Sequence, residues 1–140
     1  MGYRVQLIAI YGKERQAIHH DYGVMSNGHR EYIPECPVVG APLPSGAYAL
    51  YINDPDRIEP DERIFARLSK DASLIACYAN ETVMRSHACA WTNGIERWTV
   101  LHDANLAFNH LETNGDIPPE FLPIRDRLIA KEPCKINSAV

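Results

Sequence analysis

The 140-residue sequence has no stretch near the roughly 18 uninterrupted apolar residues of a membrane span, which excludes a helical membrane protein. It has no basic excess. The 14 Lys and Arg are scattered among 18 Asp and Glu, and the formal charge of -4 and pI near 5.8 leave nothing to neutralise a row of phosphates. Nucleic-acid binding is therefore not expected. No Ser stands in a G-x-S-x-G elbow, and neither a P-loop nor a G-x-G-x-x-G occurs. The easily recognised hydrolases, NTPases and dinucleotide enzymes are thereby removed, and no cofactor is expected.

No C-x-x-C pair occurs among Cys36, Cys77, Cys89 and Cys134, so neither a disulfide framework nor a paired-ligand zinc site is indicated. Reduced, buried thiols are the expectation. Met1 to Tyr11 carries strand-like residues where a signal peptide would have a basic head and a cleavage site, and a cytoplasmic protein is expected.

What is present is ordinary globular composition, 46% apolar and 23% charged. No internal repeat or linker appears, and residues 1–140 read as one domain with a flexible tail at 133–140. Tyr3 to Tyr11 turns from alternating to wholly apolar and stops at Gly12, the pattern of a strand entering a sheet interior. From Lys13 to Gly46 there is no sustained period. Ser26-Asn27-Gly28 and Pro34, Pro37, Pro42 and Pro44 read as a long connection, with room for a short helix or hairpin near its start. Ala47–Ile52 is a second strand. Pro60 at a first helical position, with Asp61 and Glu62 behind it and Ile64, Phe65 and Leu68 on one face, predicts a helix over about 60–71. Ser73–Ala79 is a third strand. Pro118-Pro119-Glu120 announces a last helix with the stripe Phe121, Ile124 and Leu128, its regular part starting at Pro123 and ending at Pro133.

The sharpest local signal is Asn93-Gly94 between the strand-like runs Val83–Thr92 and Ile95–His102, the pair suited to a type I′ hairpin turn. A two-residue loop sets the register. Thr92 then faces Ile95, Cys89 faces Trp98, His87 faces Val100, and Arg85 faces His102. The fold class predicted is α+β: a mostly antiparallel sheet of about five strands with two helices packed on one face, and a long loop after the first strand.

That register puts Arg85, His87, Cys89 and Trp91 on one hairpin face with Glu96, Trp98, Val100 and His102. His87, Cys89 and His102 could then meet at one substrate, since imidazole can take a thiol proton. The same face could instead be a contact surface made by Arg85, Trp91, Glu96, Trp98 and His102, because aromatic anchors dominate interface energies. It could equally be buried in a homodimer. His19-His20-Asp21 with His29 offers metal-ligand chemistry, but adjacent histidines in extended chain point apart, and no metal site is expected. Asn53-Asp54-Pro55-Asp56 with Glu59, Asp61 and Glu62 is an acidic stretch explained by turn and helix-start roles, and able to meet a basic partner. His102-Asp103 cannot pair with each other as consecutive strand residues.

Asn80–Ser86, Trp91–Gly94, Trp98–Asp103 and Gly115–Phe121 together resemble a group of small uncharacterised bacterial proteins, some of them like immunity proteins of polymorphic toxin systems. The resemblance covers residues 80–130 and carries over no catalytic residue. It implies a protein that neutralises a basic toxin by occupying its surface, with acidic charge steering the encounter. Three expectations follow: a non-enzymatic protein-binding domain, a small enzyme using His87, Cys89 and His102, or a small-ligand carrier with a pocket between sheet and helices.

Overall fold

The computed structural model describes residues 3–33 and 35–131; the expected tail at 133–140 and Cys134 lie outside the described residues. Within them the chain runs β1 (Arg4–Tyr11), α1 (Arg15–Tyr22), β2 (Val38–Pro42), β3 (Tyr48–Ile52), α2 (Glu62–Leu68), β4 (Ser73–Asn80), β5 (Arg85–Thr92), β6 (Ile95–Asp103), β7 (Glu112–Gly115) and α3 (Phe121–Lys131). All seven strands join one sheet in the order β2-β3-β1-β4-β5-β6-β7, every pair antiparallel. The α+β antiparallel class is as expected, while the numbers are seven strands and three helices rather than about five and two. No helix of the described residues is long and apolar enough to cross a membrane.

The additional strands are both at edges. β2 reads Val-Val-Gly-Ala-Pro and β7 reads Glu-Thr-Asn-Gly, and neither has the apolar alternation of a half-buried strand. Glycine and proline are tolerated at edges because only one side of an edge strand must pair. Between β1 and β2, α1 occupies the start of the long connection and stops at Gly23, whose left-handed backbone (φ 85°) lets its N–H reach the carbonyls of His19 and His20.

α2 is shorter than expected. Asp61, not Pro60, is at the boundary: its carboxylate accepts the Arg63 N–H at 2.9 Å, which caps the helix. The helix ends at Leu68, and Asp71, at φ 54°, turns the chain into β4.

The core lies on one face of the sheet. Tyr48, Ile10, Leu74 and Trp91 form one cross-strand row and Leu50, Ile8, Ala76 and Cys89 the next, all buried. Onto these rows α1 and α2 lower Ile18, Tyr22, Phe65 and Leu68. His19 bonds the Tyr48 hydroxyl at 2.8 Å, and the Phe65 and Trp91 ring centroids are 6.2 Å apart. Against expectation α3 does not join this layer. It starts at Phe121, Pro123 being harmless in a first turn where its missing N–H has no partner to lose, and none of its residues is buried.

The hairpin turn is as expected, with Asn93 and Gly94 both left-handed (φ 50° and 76°). It is also pinned: the Asn93 N–H donates to the Ala72 carbonyl at 3.0 Å and the Gly94 N–H to the buried Ser69 hydroxyl at 3.0 Å. The register is not as expected. Thr92 faces Ile95 and Trp91 faces Glu96, but Ala90 then faces Trp98, so Arg97 is left over as a bulge. Beyond it Cys89 faces Thr99, Ala88 faces Val100, His87 faces Leu101, Ser86 faces His102 and Arg85 faces Asp103. The turn sets only the first two pairs; one extra residue then reverses the facing of all that follows. The Arg97 carbonyl, freed from the hairpin, accepts the Asp116 N–H at 2.8 Å and helps hold β7.

Candidate functional site: a polar groove beside the hairpin

The bulge divides the expected hairpin constellation between two faces. Arg85, His87, Cys89, Trp91 and Glu96 stay on the helix side, where Thr99, Leu101 and Asp103 join them, whereas Trp98, Val100 and His102 lie on the opposite face. His87, Cys89 and His102 therefore do not converge. Cys89 has no solvent exposure, and burial, aided by the nearby Glu96 charge, pushes its thiol up to about 12. Such a sulfur is a packed thiol, not a nucleophile at neutral pH. Trp91 is also core, 7% exposed, so of the five expected contact residues it stays beneath the surface, and Trp98 and His102 serve the other side.

Arg85, His87 and Glu96 remain together, because α2 is short. Its seven residues put Phe65 and Leu68 into the core, Phe65 against Trp91 of β5, and beyond Phe65 the β5–β6–β7 end holds an open space. The result is a cavity of about 610 Å³ lined by Pro60 and Glu62 ahead of and within α2, Phe65 at its base, Arg85 and His87 from β5, Glu96, Thr99 and Leu101 from β6, and Glu112 to Asn114 from β7. A smaller hollow of about 280 Å³ extends it past Glu59 and Tyr78. There the Tyr78 hydroxyl donates to Glu59 at 2.7 Å and accepts from Asn80 at 3.0 Å.

The groove's electrostatics come from burial. His87, opposite Tyr78 on one side and Leu101 on the other, is held below its ordinary value by desolvation and then by Arg85, with Glu62 partly opposing, so it is neutral at pH 7. Glu96 is raised above the usual carboxylate range, first by burial and then by Glu62. Three acidic side chains, Glu62, Glu96 and Glu112, line the groove with one guanidinium, Arg85. Glu112 accepts from His110 Nε2 at 3.0 Å, and His110 Nδ1 accepts the Asp103 N–H at 2.9 Å, which fixes the tautomer and ties the 104–111 loop to the groove rim. His102 bonds the His110 carbonyl at 2.6 Å from the far side.

The remaining sequence candidates have structural tasks. His19 packs edge-on to Tyr48, Asp21 pairs with Lys13 at 2.8 Å, and His29 is an exposed loop residue. Asp54 accepts the Asp56 N–H and Asp61 caps α2. Among the described residues no group of three His, Cys, Asp or Glu side chains is placed to hold a metal. Sequence reasoning did not single out Tyr78, His110 or Glu112. Glu112 lies on a strand with no apolar pattern, and Tyr78 looked like one more apolar strand residue.

No family model, no curated protein and no solved structure matches this chain.

Proposed function

We propose that the chain is a non-enzymatic protein-binding domain of the immunity type, whose groove receives a Lys or Arg side chain from a basic partner. The observation that carries this reading is the placement of Glu62 and Glu96 in one cavity, where the Glu62 charge adds to burial in raising Glu96, beside a neutral His87. A guest cation beside Glu96 relieves the repulsion that Glu62 exerts on it. The formal charge of -4 favours encounter with a basic face. A cavity of about 610 Å³ is also within the range of small-molecule sites, which supports a carrier of a small cationic ligand as the second reading.

A fluorescently labelled hexa-arginine peptide is the first probe. Glu62→Gln with Glu96→Gln is expected to weaken its binding about tenfold, roughly 1.4 kcal/mol, measured by anisotropy. Removing the same charge elsewhere, with Glu14→Gln and Asp126→Asn, is expected to change it less than about twofold. The sign of the pH effect follows from Glu96: because its value is raised, affinity falls on acidification at a pH above the ordinary carboxylate range. Equal losses in both variant pairs would reduce the binding to general charge attraction and remove the groove from the reading.

A further inference from the structure

On the sheet face away from α1 and α2, the five inner strands carry no charged side chain apart from the bulged Arg97. β1 presents Leu7, Ala9 and Tyr11, β3 Ala49 and Tyr51, β4 Ile75, Cys77 and Ala79, β5 Ala88 and Ala90, and β6 Ile95, Trp98 and Val100. Apart from the bulged Arg97, no Asp, Glu, Lys or Arg points from β1, β3, β4, β5 or β6 to this side. A solvated antiparallel face alternates polar residues outward, and an apolar one is normally covered. Here it is exposed along β1 and β4, where Leu7 is 45% and Ile75 44% exposed and Cys77 is exposed as well, and half-buried at Tyr51, Trp98 and Val100.

We infer that a second copy of this chain covers the face, two sheets packing across a two-fold axis. Among the described residues the remaining apolar element does not do so, since α3 leaves Leu122, Ile124, Leu128 and Ile129 exposed. Self-pairing desolvates no charge in the centre of the patch, which an isologous contact requires because every residue of one patch meets the same patch of its mate. The four long strands β1, β4, β5 and β6, about 4.8 Å apart and about 26 Å long, present roughly 500 Å² in projection, and the shorter β3 with side-chain relief brings the accessible area toward the ~800 Å² per partner of a standard interface. Alanines at the centre let the two sheets approach to the ~10 Å spacing of a sandwich, with Leu7, Ile75 and Trp98 as the interdigitating side chains. The groove beside the hairpin lies on the other side of each sheet, so dimerisation leaves both grooves open and stands independently of their use.

Sedimentation equilibrium of the full chain between about 1 and 100 μM tests this. The expected result is a mass of twice 15.8 kDa at the upper end. Leu7→Lys is expected to return the chain to a monomer, and Leu122→Lys on α3 to leave the dimer intact. Cys77 faces Leu7 across the β1–β4 pair, so its alkylation rate, read by peptide mapping, should fall at least fivefold as wild-type concentration rises. That readout needs no variant, and it stands even if Leu7→Lys fails to fold. A monomer at 100 μM with Cys77 alkylated at one rate throughout would overturn the inference. So would a dimer broken by Leu122→Lys and not by Leu7→Lys.

Discussion

Phe65→Ala is expected to remove about 3–5 kcal/mol of stability, a large part of the 5–15 kcal/mol that holds a domain of this size. Phe65 is 1% exposed, tilted against the Trp91 ring, and forms the floor of the groove as well as part of the core. Truncation therefore leaves a cavity between α2 and β5 that a helix of seven residues has few other contacts to close. The measurement is a urea titration, in which the midpoint falls while the slope is unchanged. Phe108→Ala makes the comparison, because Phe108 is 68% exposed and its loss should stay within about 0.5 kcal/mol. Similar losses at the two positions would contradict the placement of the core on the helix side.

The second large effect is expected at Gly115→Ala. Gly115 ends β7 with φ 84°, a backbone that costs a residue with a side chain roughly 1–3 kcal/mol, and an added Cβ would collide with the Arg97 carbonyl. That carbonyl also accepts the Asp116 N–H, so relieving the collision pulls β7 from β6. Because Glu112, Thr113 and Asn114 form one wall of the groove, detachment should also lower hexa-arginine affinity about tenfold. Gly28→Ala separates the two causes: it has φ 77° but open space around it, so it meets the backbone cost and no collision. Faster amide exchange at Thr113 in the Gly115 variant, and not in the Gly28 variant, is the expected readout.

The parts of this fold legible in the sequence are those where local chemistry decides. The apolar run ending at Gly12, the acidic start of α2 and the Asn93-Gly94 turn each carry their cause within a few residues. The edge strands were not legible, because β2 and β7 are held by backbone pairing to a neighbour rather than by side chains facing a core. The bulge was not legible either. Nothing in Glu96-Arg97-Trp98 marks Arg97 as unpaired; its partner lies just past β7, where the Asp116 N–H takes the carbonyl that the hairpin gives up. One tertiary hydrogen bond thus accompanies the redistribution of Trp98, Val100 and His102 to the open face. Of the candidate contact residues, Arg85 and Glu96 stand in the groove, and Glu62 joins them there from the acidic stretch whose local roles are turn and helix start.

The division of the hairpin into a groove side and an open side depends on Arg97 being unpaired, and cross-strand Hα–Hα contacts in a nuclear Overhauser spectrum measure that directly. The bulged register should give contacts from one alternate set of pairs, Ala90 with Trp98, Ala88 with Val100 and Ser86 with His102, or Cys89 with Thr99 and His87 with Leu101. Contacts of Cys89 with Trp98 and His87 with Val100 would mean an unbroken ladder, and would return the histidines and Cys89 to a single face.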